Sequence, residues 1–285
     1  MQKRSEGHFR GTKSANLFYQ NWQVDDAVAT LVMTHGMGEH SESYQFLARG
    51  LEKYKLNLSV WDLRGHGKSD GKRGHVDQFM DFVNDLDCFM KHLQSQNKLD
   101  LPYFLSGHSL GGLITLRYIL ENGIGQAKGI CLSSPQLGIA LAVPPIKDFF
   151  ATNVLNRFLP SLTLHNEIDF NVLTHDKDIV KSMRTDPFRH DKISSGVYVG
   201  MLENMKVVND RCGKVISGPI LMQLAGDDHI VSRPACEAFF KTIASDKKEL
   251  IIYDGAYHEI FNETTREKTY KDLNQFIVKT LGRTK

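Results

Sequence analysis

The chain has 285 residues, of which 41% are hydrophobic and 24% are charged, and its 35 basic and 33 acidic residues leave a formal net charge of +2. This composition is typical of a globular protein, and a chain of this length buries roughly three-quarters of its unfolded surface. The near balance of charge predicts no nucleic-acid partner, because a polyanion is bound by a basic patch or stripe.

No stretch of the sequence has the apolar length of a targeting or membrane-spanning segment. The first twenty residues hold no run long enough for a signal peptide, and no uninterrupted apolar stretch approaches the ~20 residues of a spanning helix. The four cysteines lack metal or disulfide spacing, and Cys131 is expected in the core. We expect a cytoplasmic protein that can still touch a membrane surface through an exposed apolar face.

Short β-branched runs alternate along the chain with amphipathic stretches of helical length. Strands are predicted at Ala29–Thr34, Leu56–Asp62, Pro102–Ser106, Ala127–Ser133, Pro219–Ala225 and Lys248–Tyr253. Helices are predicted near Tyr44–Tyr54, Val76–Gln96, Leu110–Asn122, Pro234–Ala244 and Thr265–Leu281. Weaker extended pieces before Ala29 indicate an antiparallel hairpin at the sheet edge. This alternation predicts an α/β fold with a mostly parallel central sheet and helices on both faces.

The alternation stops from about Leu137 to Gly213, where no clean strand is expected. Helix-like segments there are rich in apolar side chains, namely Val143, Ile146, Phe149, Phe150, Val154, Leu155, Phe158, Leu159 and Leu162, and are broken by Pro144, Pro145 and Pro160. We predict a helical cap over residues 137–213, inserted between two core segments, 1–136 and 214–285, and covering the carboxyl edge of the sheet. The alternative is an ordinary helical layer.

The strongest local signal is GHSLG at residues 107–111, which fits the pattern G-x-S-x-G between a predicted strand and a predicted helix. A serine in so tight a turn takes a strained backbone, and glycines two residues to either side remove the clash with bulky neighbours. Ser109 is therefore the candidate nucleophile of an α/β-hydrolase fold.

A serine hydroxyl needs a base and an orienting acid, which in this fold follow it in the order acid, then histidine, each on a loop after a later strand. His258 follows the last predicted strand, and Asp228 follows the strand before it. Spacing alone leaves Asp227 as an alternative to Asp228.

The oxyanion of an acyl-transfer reaction is held by backbone amides. One donor is expected from Leu110, directly after the nucleophile, and the other from Met37 in the glycine-flanked loop after the first predicted parallel strand. A metal site on His35 and His40 is the competing interpretation, but no third ligand stands at suitable spacing. We therefore predict no metal and no cofactor.

A glycine-rich stretch, DLRGHGKSDG at residues 62–71, follows the second predicted parallel strand. It lacks the glycine spacing and the helix start of a phosphate-binding loop. We predict a rigid turn beside the active site.

Together these segments resemble monoacylglycerol lipases and the related lysophospholipases. The matching stretches, in chain order, are HGMGEH, WDLRGHGKSDGKRGHV, SGHSLGG, SSP, LNRFLPSLTL, TDP, AGDDHIV and YDGAYHEIFNE. The resemblance extends from about Thr12 to the last helix. It implies an α/β-hydrolase fold and a cofactor-independent lipid esterase.

The resemblance also implies roles for individual residues. Ser109 would be the nucleophile, His258 the base and Asp228 the acid, since Asp228 begins the stretch DHIV that follows the family's acid pattern. Met37 and Leu110 would be the oxyanion donors. Two polar positions that contact the glycerol end of the substrate correspond here to Glu39 and His108.

Two positions depart from the lipase pattern. Ser43 stands where these lipases tend to carry an arginine, three residues beyond HGMGEH, and Met183 stands where some carry a tyrosine ahead of the pair Asp186-Pro187. Both positions concern the head group or its exit path. The hydrolytic residues are unaffected, whereas the preference for glycerol is left open.

The cap composition independently favours a lipid substrate, because each buried methylene gains about 0.8 kcal/mol. Side chains expected to contact the substrate there are Phe149, Phe150, Leu155, Leu159 and Met183. The same face could contact a membrane transiently to take up an acyl lipid.

We therefore expect a serine hydrolase that cleaves monoacylglycerols to fatty acid and glycerol through an acyl-enzyme on Ser109. The alternatives are a lysophospholipase or a broader carboxylesterase and, less favoured, a peptidase or an acyltransferase. A non-catalytic protein on a hydrolase scaffold would carry a damaged triad or oxyanion loop, and this sequence retains every component.

Overall fold

The computed structural model describes residues 2–141, 144, 146 and 149–283. Val143 and Pro145, both part of the predicted cap, lie outside these residues. The strands are β1 (Lys3–Arg10), β2 (Asn16–Gln23), β3 (Ala29–Thr34), β4 (Leu56–Trp61), β5 (Tyr103–His108), β6 (Gly129–Ser133), β7 (Thr163–His165), β8 (Lys192–Ser194), β9 (Ile220–Ala225) and β10 (Lys248–Tyr253). The described helices are α1 (Gln45–Glu52), α2 (Phe79–Ser95), α3 (Leu110–Asn122), α4 (Asn156–Phe158), α5 (Lys177–Thr185), α6 (Ser195–Val215), α7 (Arg233–Thr242) and α8 (Arg266–Thr280).

The main sheet has eight strands in the order β1-β2-β4-β3-β5-β6-β9-β10. The first two strands form an antiparallel hairpin, β2 is antiparallel to β4, and the remaining strands of this sheet, β4, β3, β5, β6, β9 and β10, are parallel to one another. Every residue of β3, β5, β6 and β9 is buried, as expected where helices cover both faces of a parallel sheet. The predicted α/β-hydrolase fold is confirmed, with β3 and β10 at their predicted bounds.

Apolar side chains form a separate packed cluster on each face of the sheet. One contains Phe82 of α2 and Leu116 of α3, and the other contains Leu47 of α1 and Tyr270 of α8. Because both faces are closed in this way, a substrate can approach the central strands only at their ends.

The region predicted as a cap divides into two parts. Helix α6 packs against α2, α3 and α7, and it contributes Val208 and Cys212 to the core, so it belongs to a covering layer of the sheet. The predicted boundary between residues 213 and 214 falls inside this helix. The division at that boundary stays a prediction.

The segment before Ser195 crosses the carboxyl edge of the sheet. It contains a π-helical stretch, Phe150–Leu155, that continues into α4. The expectation that this region holds no strand was wrong, because β7 and β8 pair antiparallel with Leu164 opposite Ile193. Three-residue strands are too short to show the alternating pattern by which strands are recognised in a sequence.

Four loops place the predicted catalytic groups at one edge of the sheet. Met37 follows β3, Ser109 follows β5, Asp228 follows β9 and His258 follows β10. These strands are parallel, so their carboxyl ends share one edge. Among the described residues, no helix is both long and apolar enough to cross a bilayer.

Candidate active site

Ser109 occupies a strained turn between β5 and α3. Its backbone has φ 51° and ψ −121°, outside the regions that residues other than glycine normally populate. A Cβ at Gly107 would lie 2.4 Å from the carbonyl oxygen of Gly111, and one at Gly111 would lie 2.0 Å from that of Thr34. Both glycines are therefore required by the turn that presents the serine.

Asp228, rather than Asp227, is paired with the candidate base. Nδ1 of His258 lies 2.8 Å from Oδ2 of Asp228. The other oxygen of Asp228 accepts hydrogen bonds from the backbone N–H groups of Ile230 and Val231, at 2.9 and 2.8 Å. The side chain of Asp227 is 60% exposed and points to solvent. Sequence spacing left open whether Asp227 or Asp228 contacts His258, and the direction of the two side chains distinguishes them.

Burial and charge shift the pKa values of His258 and Asp228 in opposite directions. Burial lowers the pKa of His258, but the charge and hydrogen bond of Asp228, together with the charges of Glu259 and Glu39, raise it more, so its pKa lies above the ordinary value of 6.5. Burial raises the pKa of Asp228, whereas His258 and the two amides lower it more, and the net shift is downward. The carboxylate therefore stays ionised and stabilises the protonated ring.

Ser109 and His258 line the same cavity, whose volume is about 600 Å³. Since Nδ1 of the ring is bound to Asp228, Nε2 is the nitrogen left to accept a proton from the serine. Within the described residues no direct hydrogen bond joins the Ser109 hydroxyl to the ring, a contact that in such sites often tightens only when substrate binds.

The loop after β3 passes close to the nucleophile. A Cβ at Gly36 would lie 3.1 Å from that of Ser109, and Met37 lines the cavity. Glu39 fixes the loop by accepting the N–H of Gly36 at 2.5 Å. Leu110 opens α3, so its N–H has no acceptor within the helix. Both amides are thus available in the region where an oxyanion would form.

The histidines considered for a metal are engaged elsewhere. Nε2 of His35 accepts the N–H of Leu63 at 2.9 Å, and its Nδ1 lies 2.7 Å from the carbonyl oxygen of Gly36. His40 is bound through Nε2 to Asp186 at 2.8 Å. Across the described residues, no group of three or more His, Cys, Asp or Glu side chains is arranged to hold a metal ion.

The glycine-rich stretch at residues 62–71 forms a turn held by Asp62. Oδ1 of Asp62 accepts the N–H of Ser41 at 2.6 Å, and Oδ2 accepts that of Lys68 at 2.8 Å. Gly67 has φ 51°, and a Cβ there would lie 1.9 Å from Asp62 Oδ2. Through Ser41, this turn braces the loop that carries Met37.

The residues predicted to contact substrate have different positions. Glu39, His108, Phe150 and Leu155 line the cavity. His108 is buried, its Nδ1 lies 3.1 Å from the carbonyl oxygen and hydroxyl of Ser133, and burial lowers its pKa to about 3. Its ring is therefore neutral at pH 7, with its centroid 4.7 Å from that of His258.

The other three predicted contacts, Phe149, Leu159 and Met183, are absent from the described lining of the cavity, and their contact with substrate stays a prediction. Phe149 and Leu159 are more than half exposed on the outside of the cap, and Met183 is buried among core side chains on α5. Apolar composition identified the cap segment but could not tell which face of each turn points inward.

Two charged residues at the cavity were missed by sequence reasoning. Nη2 of Arg189 lies 2.6 Å from Oε1 of Glu259, and both side chains are at least 93% buried. Glu259 could have been found, since it directly follows His258. Arg189 carries no local signal, because its partner lies 70 residues away in the sequence.

Comparison with known proteins decides the family. A match to the family described as "Serine aminopeptidase, S33" spans residues 25–265. The chain belongs to this hydrolase family. The Bacillus subtilis protein named phospholipase YtpA is 30% identical to this hydrolase over 90% of the chain and 97% of its own length. Human monoglyceride lipase is 31% identical over 95% of the chain and 89% of its own length.

A solved structure supports the same family assignment. The crystal structure of Paleococcus ferrophilus monoacylglycerol lipase aligns with a TM-score of 0.79 and 28% identity, covering 98% of this chain and 99% of that one. The hydrolase is thus a member of the monoacylglycerol lipase and lysophospholipase group of α/β-hydrolases. Its reaction class is lipolytic hydrolysis of carboxylic esters.

Proposed function

We propose that this enzyme hydrolyses monoacylglycerols to fatty acid and glycerol through an acyl-enzyme on Ser109. The observation that carries the proposal is that the strained serine and the His258–Asp228 pair open onto one cavity with both polar and apolar walls. The ester would sit at the serine, the acyl chain against the cap, and the glycerol near Glu39 and His108.

The proposed reaction has two steps. The Ser109 oxygen attacks the ester carbon while its proton passes to Nε2 of His258, and the N–H groups of Met37 and Leu110 stabilise the oxyanion. The bond to glycerol breaks as His258 returns the proton to the leaving oxygen. A water molecule, deprotonated by the same ring, then attacks the acyl ester, and the ring passes that proton to the Ser109 oxygen as the fatty acid is released.

The apolar wall supports a long acyl chain. Side chains from both sides of the cavity mouth contribute to it, including Ile139, Leu141, Phe150, Leu155, Leu164 and Phe170. At about 0.8 kcal/mol for each methylene, a twelve-carbon chain gains on the order of 10 kcal/mol before entropic costs. Burial of the chain can therefore supply most of the binding free energy.

The outer face of the cap supports transient contact with a membrane. Large apolar side chains outside the described lining of the cavity are exposed there, namely Ile146, Phe149, Phe158, Leu159 and Leu162. A cluster of this kind favours an apolar or membrane partner over water. A cytoplasmic location with peripheral membrane contact stays a prediction.

Lysophospholipid hydrolysis is the second candidate, favoured by the similarity to phospholipase YtpA. A peptidase activity, which the family's name also covers, needs a buried carboxylate free to bind an amino terminus. The two buried carboxyl groups that line the cavity already accept hydrogen bonds from the protein, Glu39 through Oε1 alone. Glu39 accepts hydrogen bonds from Gly36 and Tyr44, and Glu259 accepts them from Arg189 and Asn262.

A turnover screen at matched acyl chain length tests the proposal. We expect kcat/KM to be highest for monoacylglycerol, lower for lysophosphatidylcholine and negligible for aminoacyl anilides. A higher value for lysophosphatidylcholine would favour the second candidate. Hydrolysis of p-nitrophenyl esters alone would leave an esterase but reject both lipid substrates.

A further inference from the structure

Arg189 is a buried cation at the wall of the catalytic cavity. Its side chain is 7% exposed, it lines the cavity, and its Nε is buried without a hydrogen-bond partner among the described residues. An unpaired buried donor is unfavourable, because it has given up its hydrogen bond to water. The guanidinium lines the same cavity as Ser109, so a polar group of a substrate bound there can act as an acceptor for it.

The segment that carries Arg189 is fixed to the core on both sides of it. The N–H of His190 donates to the carbonyl oxygen of Gly38 at 3.0 Å, and Asp186 is bound to His40. These bonds hold the guanidinium next to the loop that carries Met37. Nη1 lies 3.5 Å from the hydroxyl of Ser43, the position where related lipases tend to carry an arginine.

Two carboxyl groups flank this cation. Glu259 is bound to it directly, and Glu39 lies close enough for its charge to act on both. Burial, followed by the charge of Glu259, raises the pKa of Glu39 to about 7, although Arg189 opposes the shift. One cation therefore faces two carboxyl groups, and the cluster holds no surplus positive charge.

We propose that Arg189, held by Glu259, is a specificity-determining residue that binds the head group of the substrate and selects an uncharged polyol over a phosphate. The proposal rests on the proposed function above. Related lipases tend to carry an arginine at the position of Ser43. In this chain the cation near the head group would instead be Arg189 of the cap, which comes from a different part of the sequence.

The chemistry of the cluster matches hydroxyl groups. A hydroxyl both accepts and donates, so it can accept the N–H of Arg189 and donate to a carboxyl oxygen of Glu39. A phosphate only accepts, and in this place it would add a buried negative charge beside two carboxyl groups. Such a charge is strongly unfavourable when it is left without a partner.

The test compares three esters of one acyl chain, namely the glycerol ester, lysophosphatidylcholine and the p-nitrophenyl ester, which has no polyol head group. For Arg189→Gln we expect the ratio of kcat/KM between glycerol ester and p-nitrophenyl ester to fall about 10- to 100-fold, mainly through KM. The control is Arg184→Gln, a 52% exposed arginine of α5 paired with Asp169 on the surface, which should leave the ratio unchanged.

Several outcomes would overturn this assignment. An equal fall in kcat/KM for the glycerol ester and the p-nitrophenyl ester would show that Arg189 only supports the positions of Glu259 and His258. No change for either ester, or a wild-type enzyme that cleaves lysophosphatidylcholine as fast as the glycerol ester, would also reject it. If the wild type cleaves only the p-nitrophenyl ester, the proposed function itself fails, which is visible before any variant is made.

A second variant keeps the test decisive if Arg189→Gln unfolds because Glu259 is left as a lone buried charge. Replacing Arg189 and Glu259 together by methionine removes both charges, and exchanging a buried pair for apolar residues is often neutral for stability. We expect this double variant to lose the glycerol-ester ratio to the same extent. Retention of the wild-type ratio would overturn the proposal.

Discussion

The carboxyl edge of the sheet and the cap above it differ in which side chains they bury and which they expose. At the sheet edge the catalytic polar groups are buried and hydrogen bonded, as with His258, Asp228 and Glu39. On the cap, large apolar side chains such as Phe158 and Ile146 are about 70% exposed. The comparison indicates that the reaction depends on buried, hydrogen-bonded groups, whereas much of the cap presents an exposed apolar surface.

The cap is not uniform in this respect. Its end nearest α6 is tied to the core, since His190 donates to Gly38, Ser194 donates to Gly74 and Asp186 is bound to His40. The segment around Phe149–Leu164 instead carries the exposed apolar side chains. Residues of the fixed end can therefore act on the head group with the precision of the core, as we propose for Arg189.

The largest expected effect comes from removing the nucleophile. Ser109→Ala should lower kcat by about 10⁶-fold and abolish labelling by a fluorophosphonate probe, because the remaining triad has no hydroxyl to activate. Ser106→Ala is the matched control, a buried serine three residues earlier whose hydroxyl donates to the carbonyl oxygen of Cys131. Labelling that persists in Ser109→Ala would show that the nucleophile lies elsewhere.

The next effect concerns the orienting acid. Asp228→Asn should lower kcat by about 10⁴-fold, since the amide cannot stabilise the protonated ring. Because Asp228 contributes most to raising the pKa of His258, the acidic limb of kcat/KM should also move to lower pH in the variant. A full pH profile measures both changes. Asp227→Asn, at the exposed neighbour, should change neither, and an equal loss there would contradict the assignment.

Lowering the pH should reduce the free energy of unfolding through the buried histidines at the sheet edge rather than through the exposed histidines of the cap. Burial lowers the pKa of both His35 and His108 to about 3, so between pH 6.5 and that value the unfolded chain binds protons that the folded chain does not. The free energy of unfolding should thus decrease as the pH is lowered, by about 2 kcal/mol for each ring at pH 5. Urea unfolding at pH 7.5 and pH 5 measures the fall.

A cap histidine is the control for this acid effect. His165→Gln replaces a ring that is 72% exposed, and it should leave the loss of stability between pH 7.5 and pH 5 unaltered. A free energy of unfolding that stays constant over this range in the wild type would show that the buried rings titrate normally.

The smallest effect is expected at the apolar wall of the cavity. Phe150→Ala or Leu155→Ala should lower kcat/KM by about tenfold for long-chain esters and far less for short-chain esters, because only a long chain reaches these side chains. Met183→Ala should instead cost about 2–5 kcal/mol of stability without changing chain-length preference. A shift in chain-length preference in Met183→Ala would restore this residue to the substrate site.

Local spacing and composition by themselves determined the alternation of strands and helices and the turn at Ser109, because these patterns are read over a few consecutive residues. Gly107 shows this, since a Cβ there would lie 2.4 Å from the carbonyl oxygen of Gly111, only four residues away. Only the tertiary structure decided that Asp228 rather than Asp227 faces His258, because neighbouring residues point in different directions.

The tertiary structure also decided which cap side chains line the cavity and which charges meet beside it. Phe149 and Phe150 are adjacent in the sequence, yet only Phe150 is part of the described lining. Arg189 and Glu259 are 70 residues apart, and their contact exists because two distant loops converge on one edge of the sheet. Contacts of that kind depend on how the whole chain packs, which no local pattern encodes.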